Sequence, residues 1–584
     1  MKRFILNHIK MLLTLLLGVS VFLFWRFGYP QAISFNEELQ LFLFDADYLT
    51  KFITYSGGIA VGIGAFLMQF YSSLTMGALI LAIVSIALQR LTWLLACKQN
   101  TPEAFYVLSF LPSIFLLHIM GNENIMLGVA IAIIISLVVC LCYSRLQTEK
   151  IRWIASVGFT IGLYLVAGFG VYMFVFYLFI TELQKAKLSH AIVKLSVAML
   201  SVVVCIIICY RFSLYPLSRI ATGMINFYRF KVAFVADIAQ LGLVSVATPF
   251  VISQLKRVKV STFSITIACI SVALLFIVAS QMRFSDRKYI IMNYDMLLRQ
   301  HNWDGIIHLA QTESPQTPLE VYSVNFALAM RGELADRLFE FPQHSPQGLI
   351  PTFKREITYS LMANEVYFSL GMINTAQRFV FEAQESIPND QKSGRMMRRL
   401  VETNMLNGQY DVAKRYLNIL LKTISYRKWA KEMLTYLGNE QKINDHPFYG
   451  EMRQLRVIND FFYSDEEVDQ MLGLLFIHNK TNRLALDYLL CYELLSHDNK
   501  HFMKYYPLTS KLTNYNRIPK AYQEALVYSW AQNHNSFDGI ISGISPQVKS
   551  NFTAFVSAYQ KQSQDINNDI FRQTYWYYML LNNK

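Results

Sequence analysis

The chain has 584 residues, 54% of them apolar and only 16% charged, with a net charge of +13. Soluble domains carry about a quarter charged residues, so this composition excludes an ordinary soluble enzyme. The positive charge is also unevenly placed: residues up to Arg283 hold 21 basic and 9 acidic side chains, while the remainder holds 32 and 31. Basic residues beside apolar runs orient a membrane protein, and no nucleic-acid-reading motif is present, so nucleic acid is not an expected partner.

The first element is a basic stretch, Met1–Lys10, followed by MLLTLLLGVSVFLFWRF. No small-residue cleavage site follows it, so the segment is read as an uncleaved span ending at WRFGYP. Directly afterwards comes SFNEELQLFLFDADYLTKF, which carries Glu37, Glu38, Asp45 and Asp47 among large hydrophobes. Phe35, Leu39, Phe42, Ala46, Leu49 and Ile53 follow helical spacing. This predicts one amphipathic helix over 35–52 lying on the bilayer, with its acids turned to water or a cavity.

The glycine-rich YSGGIAVGIGAFLMQFYSS, 55–73, is read as a second segment at the interface. Apolar runs near 76–96, 105–119, 125–143, 153–181, 191–210, 233–253 and 262–281 are candidate spans, each needing about 20 residues. The run 153–181 is too long for one untilted helix, and Gly168-Phe-Gly170 offers a break into two. Nine spans result, with thirteen basic residues in the inside loops against five outside. That asymmetry predicts an inner-membrane protein with its C-terminal half on the outer, periplasmic side.

Three further places carry candidate binding residues. His118 stands in the outer turn LLHIMGNENIM. The outer loop RFSLYPLSRIATGMINFYRFK, 211–231, carries Arg211, Arg219, Arg229 and Lys231, a cationic set suited to lipid phosphates. Asp237 follows at or inside the membrane, where an acid is a functional candidate. The seven cysteines include no CxxC pair, and six of them lie in the apolar half. They predict neither a metal site nor a disulfide framework, and no cofactor is assigned. No phosphate loop, dinucleotide fingerprint or nucleophile elbow occurs.

From residue 284 onward helical periodicity dominates. QHNWDGIIHLA, MRGELADRLF, SLGMINTAQRFV and LNGQYDVAKRYL each place Gly or Asn in a turn between helices. Gly332, Gly371 and Gly408 recur at intervals of 39 and 37, and Ala376 and Ala413 each follow their glycine by five residues. The pattern resembles the tetratricopeptide repeat, which implies stacked helical hairpins and a surface for a protein partner. The expected fold is therefore all-α: a polytopic membrane domain over 1–283, then a helical repeat domain over 284–584.

Acids directly after a first span, followed by surface-lying helices, also resemble the arrangement of GT-C type glycosyltransferases, which take sugars from polyprenyl-phosphate carriers. That likeness implies Glu37 or Glu38 as base or metal ligand, with Asp45 or Asp47 as second candidates. A phosphate leaving group needs cationic stabilisation, so the basic outer loop, with His118 and Asp237, is the expected substrate side. Through NEELQLFLFDADY and GGIAVGIGAFLMQFY the whole chain resembles a family of uncharacterised multi-pass proteins from Bacteroidota, which implies a cell-envelope protein. Three function classes remain: sugar transfer from a lipid carrier, a membrane-anchored scaffold whose repeats bind a protein, and a transporter or flippase, which the single break at 168–170 disfavours.

Overall fold

A computed structural model describes residues 2–97, 103–185, 188–228, 234–255, 262–282, 287–354, 356–389, 391–457, 463–512, 517–561 and 564–581. Among these the regular structure is helical, as the periodicity predicts, and the sole extended pairing is an isolated bridge between Ile125 and Tyr228. The chain divides into two compact units. The first comprises Met1–Tyr289 with Ile387–Arg395 and Asn418–Lys431, and the second holds Ile290–Ser386, Met396–Leu417 and Glu432–Lys584.

The first unit opens with α1 (Lys2–Leu23), which runs into a π-helical turn, Phe24–Gly28. Pro30 then starts α2 (Pro30–Glu38), where its missing N–H costs nothing. Next come α3 (Ala46–Lys51), α4 (Gly58–Met68), α5 (Leu74–Cys97), α6 (Leu111–Met120) and α7 (Gly128–Ser144). They are followed by α8 (Glu149–Ala167), α9 (Gly170–Lys185), α10 (Leu188–Phe212), α11 (Leu217–Thr222), α12 (Val235–Gln254) and α13 (Thr262–Met282).

Among the described residues, six helical stretches are long and apolar enough to cross a membrane: His8–Gly28, Leu74–Cys97, Glu103–Met120, Glu149–Ala167, Leu188–Phe212 and Val235–Gln254. Gly58–Ser72, Gly128–Ser144, Gly170–Gln184 and Cys269–Gln281 are apolar but shorter. Many large apolar side chains of these helices face outward, among them Leu200, Val203, Val204, Ile207 and Ile208 on α10. Water would oppose such a surface, whereas hydrocarbon accepts it, and a helix satisfies its own backbone there. The protein is membrane-associated.

The segment 153–181 does break at Gly168-Phe-Gly170. Gly168 has φ +54, a Cβ there would lie 2.3 Å from the Gly223 carbonyl oxygen, and the Phe169 N–H bonds that same oxygen at 2.9 Å. Gly57 stands against the same junction, its missing Cβ 3.1 Å from the Gly168 Cα. Any side chain at Gly168 would separate backbones that the fold brings into contact.

The amphipathic helix expected over 35–52 is not continuous. α2 ends at Glu38, residues 39–45 are non-helical and α3 begins at Ala46. Phe35, Leu39 and Phe42 are buried inside the protein, while Leu49 and Ile53 are exposed. The helical spacing is present in the sequence, but its two halves are buried in different environments. Tertiary burial decided the backbone here, not the period.

The second unit is built from helical hairpins. Ile357–Ser369 packs on Ile373–Glu385, and Val468–His478 on Arg483–Leu495. Gly332, Gly371 and Gly408 follow helix ends with φ of +71, +88 and +74. In each case the next residue's N–H bonds back to a carbonyl five positions earlier: Glu333 to Leu328, Met372 to Tyr367 and Gln409 to Asn404. This satisfies the carbonyls left over at a helix end and turns the chain into the next helix. Ala376 and Ala413 are fully buried, as helix approach at those positions requires.

Candidate functional site

The first unit carries a cleft of about 310 Å³ lined by Tyr48, Lys51, Tyr55, Tyr215, Asn226 and Asn389, with Phe52, Thr54, Phe212, Ser213, Leu214 and Gln391 completing it. Three chain segments build it. α3 and the turn after it supply Tyr48 to Tyr55. The end of α10 and its following loop supply Phe212 to Asn226. The returning segment Ile387–Arg395 supplies Asn389 and Gln391.

The local geometry explains why these meet. Gly57 N–H bonds the Leu165 carbonyl at 2.8 Å, fixing the 55–58 turn on the end of α8. The Gly168–Gly223 contact fixes the 212–226 loop on the same junction. Asn389 donates to the Tyr228 carbonyl at 3.1 Å. Asn226 Nδ2 donates to the Tyr215 hydroxyl at 3.4 Å.

Chemically the cleft is a set of donors over aromatic faces. Burial pushes the Tyr55 phenol up to about 12, with Asn226 opposing and Tyr215 adding to the rise. Burial raises the Tyr48 phenol as well, with Tyr55 a smaller cause. Both phenols therefore keep their protons at neutral pH and donate rather than act as bases. Lys51 adds an ammonium. Among the described lining residues there is no carboxylate and no thiol. Phenols, amides and one ammonium suit a polar, hydroxyl-rich or anionic group and not a metal ion.

The acids singled out in the sequence lie elsewhere. Glu37 and Glu38 are 4% and 0% exposed. Arg395 Nη1 donates to Glu38 Oε1 at 3.0 Å, and Tyr426 OH donates to Glu37 Oε1 at 2.8 Å. Gly394 makes this possible: a Cβ there would sit 2.1 Å from the Tyr426 ring. Asp45 pairs with Lys422 at 2.8 Å, beside a Phe44 N–H to Lys422 carbonyl bond of 2.7 Å. Asp47 is exposed in the first turn of α3. Three of the four acids thus hold the returning segments 387–395 and 418–431 within the first unit.

The expected cationic residues separate as well. Arg219 lies over the Tyr228 ring at 5.1 Å and donates to the Ile225 carbonyl at 3.3 Å, bracing its own loop. Arg211 is exposed at the end of α10. Arg229 and Lys231 lie outside the described residues. His118, in the last turn of α6, and Asp237, in the first turn of α12, are half-buried and line no part of the cleft. Residues 48–55 and 212–226 do meet at one cleft, but through their tyrosines, Lys51 and Asn226.

Sequence reading also missed a buried charge network among α7–α10. Arg152 and Lys194 both pair with Glu182, Lys194 at 2.9 Å, and Tyr143 OH donates to Glu182 at 3.1 Å. Glu149 closes the set by pairing with Lys194. The side chains of Lys194 and Glu182 are 0% and 3% exposed. A buried pair gains little over a hydrophobic one, but removing one partner costs about 3–5 kcal/mol. These residues are 12 and 30 positions apart, and no local pattern signals their meeting.

Fold and site together define a class: an all-helical membrane-associated protein with a donor-rich cleft and no catalytic constellation among the cleft's described residues. The chain belongs to a family of unknown function, DUF6057, which matches residues 5–582. No curated protein and no solved structure matches it.

Proposed function

We propose that this protein is a non-enzymatic, multi-pass scaffold of the cell envelope. Its membrane unit anchors a stack of tetratricopeptide-like hairpins that binds a protein partner. The observation that carries this reading is the commitment of Glu37 and Glu38. Both are buried, and each already has a cationic or phenolic partner. A general base must reach the proton it removes, and these carboxylates are held against Tyr426 and Arg395 instead. The asymmetry of basic loop residues supports an inner-membrane location with the repeats on the periplasmic side.

A second reading, a GT-C type transferase using a polyprenyl-phosphate-linked sugar, draws support from the cleft. Its phenols, amides and lysine are the groups that hold a sugar phosphate. The two readings separate on Lys51 and Tyr55. Complementation of a strain lacking the gene by Lys51→Ala, Tyr55→Phe and their double variant is the test. The scaffold reading expects all three to complement. Failure of well-expressed, correctly inserted variants favours the transferase.

A further inference from the structure

The second unit holds a group of ligand-type side chains used by neither reading. Glu493 lies near the end of the helix Arg483–Leu495, is 3% exposed, and its Oε1 has no hydrogen-bond partner. Asp498 caps the next helix, Asn499–Tyr505, through its bond to the His501 N–H at 2.9 Å. One ligand atom from each of Glu493, Asp498 and His501 falls within 4.8 Å of the other two. Asp498 Oδ2 and His501 Nδ1 are 2.6 Å apart, a carboxylate–imidazole contact that fixes the ring.

The turn between the helices forces this meeting. His497 occupies the left-handed position with φ +59, and the Asp498 N–H bonds back to the Glu493 carbonyl at 3.0 Å. This is the geometry of Gly332, Gly371 and Gly408, with histidine in the glycine's place. It carries residue 498 back over residue 493. Asp469, on the helix Val468–His478, adds a further negative charge near Glu493 and is held by Tyr505 OH at 2.8 Å. The exposed Lys504 acts on Glu493 in the opposite sense.

Three carboxylates and one imidazole around a buried oxygen without a partner describe a site that lacks positive charge. An exposed lysine in high-dielectric surroundings compensates little of it. We propose that Glu493, Asp498 and His501 bind a divalent first-row transition-metal ion, best matched by Zn²⁺. Two carboxylate oxygens and one imidazole nitrogen leave a fourth position open to water. Asp498 and His501 are 39% and 42% exposed, so the ion enters from solvent and exchanges. Bound there, it clips two successive helices across their turn and stabilises the second unit by linkage.

The test uses full-length, tag-free protein in nanodiscs, stripped with chelator and titrated with ZnCl₂ by calorimetry and thermal shift. The parent is expected to take one equivalent of Zn²⁺ and to melt higher with it. His501→Ala should weaken binding about tenfold or more and remove the thermal shift. Glu493→Gln should do the same, and should it fail to fold, His501→Ala decides alone because its side chain is 42% exposed and not part of the core. His534→Ala, an exposed histidine stacked on Trp530, should bind as the parent does. Absence of Zn²⁺ binding to the parent, or equal binding by His501→Ala, overturns the proposal.

Discussion

At the scale of single residues, burial and not residue type decides what an acid does here. Glu37 and Glu38 stood out in the sequence as acids in a greasy stretch, and they are special. Their partners, Tyr426 and Arg395, are 389 and 357 residues away, so nothing local could reveal that the acids are paired. Glu524 shows the other outcome. It is fully buried, with Lys520 and the Tyr575 N–H only partly offsetting desolvation, and its carboxyl is pushed up from 4.5 to about 7. Between those values the unfolded chain has released a proton that the native chain still holds. Stability from this group is therefore lost as pH rises from 4.5 to 7 and is level above that. Glu524→Gln removes the effect. Relative to the parent, the variant should gain about 3 kcal/mol on going from pH 4.5 to pH 8. Denaturant melts of the two proteins at both pH values check this; a constant difference would mean that Glu524 ionises normally.

At the scale of elements, glycine was the most legible signal. Gly168-Phe-Gly170 marks the break between α8 and α9, and the spaced glycines mark the hairpin turns. Both follow from a backbone conformation that other residues resist. The 35–52 stretch misled because a helical period does not reveal whether both its ends are buried on the same side. The buried Arg152–Glu182–Lys194 network was hidden because its members sit on three different helices. The glycines permit a graded prediction. Gly332 has φ +71 with no atom within 4 Å of a built Cβ, so Gly332→Ala should cost only the backbone term, about 1–2 kcal/mol. Gly371 has φ +88, and its Cβ would lie 2.5 Å from the Leu455 carbonyl oxygen. Gly371→Ala must add displacement of that backbone and should cost clearly more. Equal losses in thermal unfolding would show that the contact at Leu455 yields freely.

At the scale of the molecule, the proposed topology rests on the charge asymmetry and on the break in the 153–181 segment. A reporter active only outside the cytoplasm, fused after Lys584, should be active, and one active only inside should be silent. The reverse pair would place the helical hairpins in the cytoplasm and remove a periplasmic partner from consideration. The all-α class and the membrane association were legible because composition and period act over tens of residues. The cleft was not, because Tyr48, Tyr55, Tyr215, Asn226 and Asn389 are ordinary residues made special only by where the chain returns.

On the proposed scaffold reading, the buried acids hold the fold and perform no chemistry. Glu38→Gln leaves Arg395 buried beside a neutral group and should lower stability by about 3 kcal/mol, with function falling alongside. Adding Arg395→Met removes the stranded charge. The direct measurement is thermal unfolding and gene complementation of the single and double variants side by side. The account predicts that the double variant recovers most of both stability and function. A double variant that regains stability yet stays as inactive as Glu38→Gln would show that the carboxylate itself is required, and would contradict it.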